Sequence, residues 1–419
     1  MPRSDQPAQD SGFSLTGTTW LGYRRRTKNF SRVMLVMFLA GVATFAQLYS
    51  PQAILPELGR AFDVQLSTAA LTISMSTAGL ALTVLPWTVV ADRIGRRKTI
   101  AWAVFLATTL ALLLSLAPNF ATVLVLRFLE GAALGGVPAA AMAYINEEVH
   151  SLDAAFAAGM FIAGNALGGV GGRLLAGPIT ELTGMWRLGV LVVALLSVVC
   201  AVLFILLAPR AKGYIPLRQR RPLRQDIAHA WTHVKIHART PKLLILYAQA
   251  FVTMGAFVAV YNYLGAYLTA PPYTLPLWLV SFAFLAYLAG MVASPVAGRL
   301  AARFGRKRVM LFGFGLALVS LVMMAVPNLS VILAGLGLYT AAFFGSHSVA
   351  SGWAGAAPDF GRAQATGLYN FCYYIGSSVI GYLGGIVFER SGWIPLLAIL
   401  GALLATVSLM LLVFARNDT

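Results

Sequence analysis

Acidic side chains are scarce in this chain. Only 14 of its 419 residues are Asp or Glu. Charged residues of both signs make up 11%, against about 25% in soluble globular domains. That is too little charge to solvate a water-soluble fold of this length. Cysteine is rarer still. Cys200 and Cys372 both lie in apolar runs, which excludes a disulfide framework and a thiolate metal site. A cleaved leader is not expected, because residues 1–30 are polar and YRRRTKNFSR comes just before the first long apolar run. There is no nucleophile–base set, phosphate-cradling glycine loop or metal motif, so we expect neither an enzyme nor a cofactor.

What is present is apolar: 59% of the residues are hydrophobic. Twelve runs are long enough to cross a bilayer as helices, near 32–55, 66–90, 99–117, 120–145, 153–178, 187–208, 243–268, 277–298, 309–326, 330–354, 363–388 and 394–414. The expected fold is an all-α membrane protein. With the N-terminus in the cytoplasm, nearly every Lys and Arg falls in a tail or an inner loop. The exceptions are Arg60, Arg187 and Arg390 at outer ends, and Arg127 and Arg173 inside spans. The net charge of +17 is thus a topology signal, and no nucleic-acid partner is expected. The expected location is the cytoplasmic (inner) membrane, with both termini cytoplasmic.

The longest connection divides the chain. We read a tail (1–31), a six-helix bundle (32–208), a linker (209–242), a second six-helix bundle (243–414) and a short tail (415–419). In the linker, Leu223, Ile227, Trp231 and Val234 recur at helical spacing among basic residues, as in an amphipathic helix on the membrane surface. His229, His233 and His237 repeat every four residues, with Asp226 on the same face. Such a stripe can hold a metal ion, but without further ligands we read it as a solvated face.

The halves repeat. ADRIGRRK (91–98) aligns with AARFGRKR (301–308), matching Arg93, Gly95 and Arg96 to Arg303, Gly305 and Arg306. Gly159, Gly168 and Glu181 recur as Gly367, Gly376 and Glu389. Duplicated six-span halves are a transporter architecture, with the site at their interface. On these residues the chain resembles the major facilitator superfamily over nearly all of its length past residue 30. The superfamily's loop pattern G-x-x-x-D-R-x-G-R-R appears with Thr88 for its first Gly, and the second copy has Ala302 for its Asp. The resemblance implies two pseudo-symmetric six-helix bundles that expose a substrate site alternately to each side. It also implies a cytoplasmic gate of Asp92, Arg93, Gly95, Arg96, Arg303, Gly305 and Arg306. Asp92 would pair with Arg93, with Arg96, or with a helix N-terminus of the other half.

Arg127, Gly131 and Gly135 reproduce R-x-x-x-G-x-x-x-G, found in the superfamily's drug/proton antiporters. GNALGGVGGRLLAGP resembles the antiporter pattern of the fifth span, but Gly169 replaces its Pro and Arg173 its last Gly. IAGNALGGVGGRLL and GLYNFCYYIG resemble segments of the YnfM-type exporters.

Glu130 is the one carboxylate well inside a span. Its depth matches those of Arg127, Arg173 and Gln47, so we expect one cluster in which both arginines offset its charge. Burial disfavours a carboxylate and guanidinium groups favour it, a balance suited to a proton carrier. His347, the one intramembrane histidine, joins Glu130, Arg127 and Arg173 as a candidate for proton coupling. Gln47, Tyr49, Asn165, Tyr261, Asn262, Tyr263, Tyr369, Asn370 and Tyr373 are expected to line an amphipathic cavity. The expected function is proton-coupled efflux of a small amphipathic or apolar compound by a monomer. The alternative is a proton-coupled uptake symporter for a sugar, organic acid or amino-acid-like solute, with the buried arginines binding an anionic group.

Overall fold

In a bilayer an apolar segment has no water to satisfy its backbone, so it closes its own hydrogen bonds as a helix. The computed structural model describes residues 20–214, 231–358 and 360–414. Among the described residues, twelve helices are long and apolar enough to span a membrane. They are α1 (Lys28–Phe62), α2 (Leu66–Ile94), α3 (Arg96–Leu114), α4 (Phe120–Glu148), α5 (Ser151–Thr183), α6 (Trp186–Leu207), α7 (Pro241–Thr269), α8 (Leu277–Phe304), α9 (Arg306–Ala325), α10 (Leu329–Ala356), α11 (Gln364–Ser391) and α12 (Trp393–Val413). Each overlaps one of the expected spans. Two are interrupted by a 3-10 turn: α1 at Ser50–Ile54 and α8 at Phe282–Ala286.

The repeat is structural as well as sequential. Gly95 turns α2 into α3 at φ 94°, ψ 147°, and Gly305 turns α8 into α9 at φ 89°, ψ 145°. A side chain at either position would clash with its own backbone, so the motif keeps glycine there. Gly168 of α5 lies against α1, where a Cβ would stand 2.4 Å from the Val42 carbonyl oxygen. Its counterpart Gly376 of α11 lies against α7, 2.0 Å from the Phe251 carbonyl oxygen by the same measure. Likewise α4 rides on α2. A Cβ on Gly131 would fall 1.8 Å from the Ser76 carbonyl oxygen. Small residues let these backbones touch.

We call the end at which α1 and α7 begin and α6 and α12 finish the linker end. At the opposite end the halves are stitched by two matching contacts. Glu389, near the end of α11, accepts from the Ser67 backbone N–H (2.7 Å) and Oγ (2.8 Å) at the start of α2. Glu181, near the end of α5, accepts from the Trp278 N–H at 2.5 Å at the start of α8. Each carboxylate meets the partially positive N-terminus of a helix from the other half. Deeper in, the Ser74 and Ser378 hydroxyls each donate to the other's carbonyl, at 3.0 and 2.9 Å.

At the linker end, the segment before α1 is strapped to the α4–α5 turn. The Tyr23 N–H donates to Glu148 O at 2.8 Å, and Arg25 pairs with Asp153 at 2.9 Å. Of the apolar stripe expected in the linker, Leu223 and Ile227 lie outside the described residues, as do Asp226 and His229. Val234 is buried, whereas Trp231 is exposed. His237 Nε2 lies 3.1 Å from the Gly361 carbonyl oxygen, and both His233 and His237 pack on Phe360.

The close approach at Gly131 predicts its intolerance to bulk. Gly131→Leu should cost about 1–3 kcal/mol or more through overpacking. Gly159→Leu, with open space around its Cβ, should stay within about 0.5 kcal/mol. Thermal melts of the purified variants in detergent decide; equal melting temperatures would reject the packing assignment.

Candidate transport site

The site is built around a defect in α1. Pro51 has no N–H, so the carbonyl of Gln47, four residues earlier, loses its helical donor. Arg127 of α4 fills that position. Its Nη1 donates to Gln47 O at 2.9 Å, its Nη2 to Leu48 O at 2.6 Å and its Nε to Thr72 O at 3.0 Å. Nη1 also donates to Glu130 Oε2 at 2.7 Å. The pair is three residues apart on one helix face, and both members are 1% exposed. Gln47 thus reaches the cluster through its backbone. Its side chain turns instead to Ala43 O (3.0 Å) and to Thr108 Oγ1 of α3 (3.4 Å).

Arg173 requires a larger correction. It was expected to offset Glu130, but it does not contact it. Among the described residues Arg173 has no carboxylate partner. Its Nε and Nη2 donate to Gln52 Oε1 (2.9 and 2.5 Å), Nη1 to Gly169 O (2.6 Å) and Nη2 to the Tyr287 hydroxyl (3.1 Å). Its Cζ lies 4.9, 4.6 and 4.8 Å from the ring centres of Tyr49, Phe284 and Tyr287. The reason is helical phase. Gly172 faces α1, and the next residue is turned about 100° further round the helix. That turn carries Arg173 to the seam between the halves.

Gln52 is the residue that reading the sequence missed. While its Oε1 receives Arg173, its Nε2 donates to Asn262 Oδ1 of α7 at 2.5 Å. Arg173, Gln52 and Asn262 therefore form a hydrogen-bonded bridge from one half to the other, and Tyr287 of α8 makes a second. A polar amide directly after Pro51 is the signal that the sequence offers for it.

The remaining candidates separate into groups. Tyr49 is 5% exposed, lies against Arg173, and among the described residues its hydroxyl has no hydrogen-bond partner. The hydroxyl of Tyr261 bonds Thr340 Oγ1 at 2.7 Å, and its ring packs on Tyr287. Tyr263 departs from the expected cavity: it donates to Gly381 O at 2.7 Å and stacks on Phe388, facing α11. His347 Nδ1 lies 3.0 Å from the Tyr369 hydroxyl, with Tyr373 at 4.6 Å between ring centres. A ladder of rings, Tyr287, Phe257, Phe343 and His347, runs from the Arg173 region to this histidine. Asn370 of α11 and Asn165 of α5 are half-buried.

At the linker end, Asp92 selects Arg96 among the partners open to it and forms an ion pair. Arg96 Nε continues to Glu147 Oε1 at 3.0 Å. The Tyr214 hydroxyl donates to Asp92 O (2.9 Å) and Arg93 O (3.2 Å) beside the Gly95 turn. This charge chain stays within the first half. In the second copy Ala302 removes the acid; Arg303 and Arg306 around Gly305 are exposed, and Arg303 covers the Phe304 ring.

Replacing Gln52 should show what the bridge contributes. In Gln52→Leu a buried guanidinium loses its amide acceptor, and we expect about 1.5–3 kcal/mol of lost stability. The melt of the purified variant measures it; a wild-type melt would reject the bridge.

Comparison with known proteins agrees with this architecture. The description Major Facilitator Superfamily matches residues 34–287 and 243–419. The inner membrane transport protein YnfM of Escherichia coli (strain K12) is 36% identical over 370 residues, 88% of this chain and 87% of that one. The uncharacterized MFS-type transporter YybF of Bacillus subtilis (strain 168) is 33% identical over 371 residues, 88% of this chain and 90% of that one. Among solved structures, a bacterial homolog of the human lysosomal transporter Spinster, inward-facing and occupied, gives a TM-score of 0.73 at 14% identity, covering 92% of this chain and 97% of that one. A mutant of the nucleoside transporter NupG gives 0.70 at 13% identity, covering 92% of this chain and all of that one. At such identities the structures speak to the fold alone. The two sequence relatives and the matched description go further: this chain belongs to the Major Facilitator Superfamily and is a multi-pass membrane transporter of the secondary type, not an enzyme.

Proposed function

We propose that the chain exports a small amphipathic compound in exchange for protons, by alternating access. The linker end would face the cytoplasm, as the placement of Lys and Arg favours. One observation carries the reading: Glu130, sealed at mid-span, shares Arg127 with three backbone carbonyls. Those carbonyls hold the arginine whatever the charge on the carboxylate. Glu130 can therefore take up a proton without Arg127 leaving its place.

The same carbonyls offer a route by which protonation moves the halves. Arg127 grips α1 at Gln47 and Leu48, and the break that follows presents Gln52 to Arg173 and Asn262. When Glu130 is neutralised, Arg127 stays on the carbonyls alone and holds the segment bearing the seam bridge more firmly. A proton at Glu130 would then favour a closed opposite end, and its loss an open one, so that the proton is carried inward. His347 of α10, hydrogen-bonded to Tyr369 of α11, would be a second protonatable group on the path. The Asp92–Arg96–Glu147 chain would brace the linker end of the first half as the gate works.

Inverted vesicles test both direction and coupling. An acid lumen should drive substrate into the lumen if the protein is an antiporter, and out of it if it is an uptake symporter. Glu130→Gln should abolish this pH-driven accumulation while exchange of labelled for unlabelled substrate continues. Accumulation at the wild-type rate in Glu130→Gln would reject Glu130 as the carrier.

A further inference from the structure

Arg173 holds a positive charge that its surroundings solvate but do not neutralise. Glu130 belongs to Arg127, and among the described residues Arg173 meets only an amide oxygen, a backbone carbonyl, a phenol and three ring faces. Dipoles and ring faces ease the burial of a guanidinium, yet its full charge remains. Beside it sits a second unmet group. Tyr49 is 95% buried and among the described residues its hydroxyl has no partner, although buried phenols ordinarily find one. A cation and an unused hydroxyl donor side by side at the apolar seam are the recognition set for an oxyanion. This cluster draws on both halves, Tyr49, Gln52 and Arg173 from the first and Phe284 and Tyr287 from the second, as a site served from alternate sides requires.

The geometry points to Arg173 and Tyr49 as the subsite for the acidic group of the transported compound, which is an amphipathic organic monoanion such as an aromatic carboxylate. This rests on the seam being the transport path, and it names the substrate class for that path. One unpaired cation sets the charge at one. The rings of Phe257, Phe343 and Tyr373 leading away from Tyr287 suit an apolar body. Binding also has a mechanical consequence. Gln52 and Tyr287 are the groups through which the second half holds Arg173. A carboxylate that takes over the guanidinium displaces them and loosens the seam, so the substrate itself would promote opening of the opposite end.

The test is a thermal-melt titration of the whole purified protein in detergent with three probes of one shape: 1-naphthoate, uncharged 1-naphthalenemethanol and cationic 1-naphthylmethylammonium. Naphthoate should raise the melting temperature saturably, and the other two should not. Arg173→Gln should weaken naphthoate at least about tenfold, the scale of a charge-assisted hydrogen bond. Arg173→Lys should keep the preference for the anion. Tyr49→Phe, which keeps the ring and so the packing, should weaken naphthoate about fivefold and serves if Arg173→Gln does not fold. The proposal is overturned if naphthoate fails to stabilise the wild type, if the cation does so equally, or if Arg173→Gln and Tyr49→Phe both bind like the wild type. The melt reads binding without proton movement, so it stands or falls separately from Glu130 as carrier.

Discussion

A guanidinium buried in a membrane-spanning fold needs an acceptor for nearly every N–H, and one proline supplies the opening. Pro51 takes a donor out of α1 and frees the Gln47 carbonyl, which Arg127 then occupies together with Leu48 O and Thr72 O. An arginine held by Glu130 alone would lose its place whenever the carboxylate lost its charge. Carbonyl anchors separate the two events. The 3-10 segment Ser50–Ile54 created by the same break also carries Gln52, which receives the other buried arginine of the first half. Both cations thus depend on one irregular turn, and any movement of that turn is felt at both.

The duplication explains how the seam closes. Glu181 and Glu389 occupy equivalent places near the ends of α5 and α11, and each meets the start of a helix in the opposite half. A carboxylate on a helix N-terminus is a modest interaction, roughly 0.3–1 kcal/mol at an exposed site. Two of them release together with little penalty, which suits a gate better than a large apolar contact would. The chemistry, by contrast, is not duplicated. Gly381 stands where symmetry would place a second Arg173, and Ala302 where it would place a second Asp92. The first half carries the charges, and the second offers aromatic rings and His347.

Much of this was legible in the residues themselves. Span length, the two-copy loop motif and the four-residue glycine spacings are local patterns, and each reappears in the structure as a helix, a positive-φ turn or a backbone crossing. Azimuth was not legible. Arg173 and Glu130 face different neighbours, because Gly172 turns toward α1 and the next residue away from it. Tyr261 and Tyr263 illustrate the same limit within one helix: the first packs on Tyr287, the second on Phe388. Gln52 carries no signal of depth in a helix taken as unbroken through Pro51, and the 3-10 turn at Ser50–Ile54 is what brings it to the seam.

The sequence by itself therefore determined the twelve spans, the repeated halves, the superfamily and the presence of one acid and two bases where charges are expensive. The spans and the buried charges follow from composition and periodicity, the halves from an internal repeat, and the superfamily from the resemblance of the loop motif. Only the tertiary structure decided which base meets the acid and which is left facing the seam. That choice rests on the rotation of α5 against α1 and on a turn in α1 that a proline breaks locally but that only packing against α4 and α5 fills.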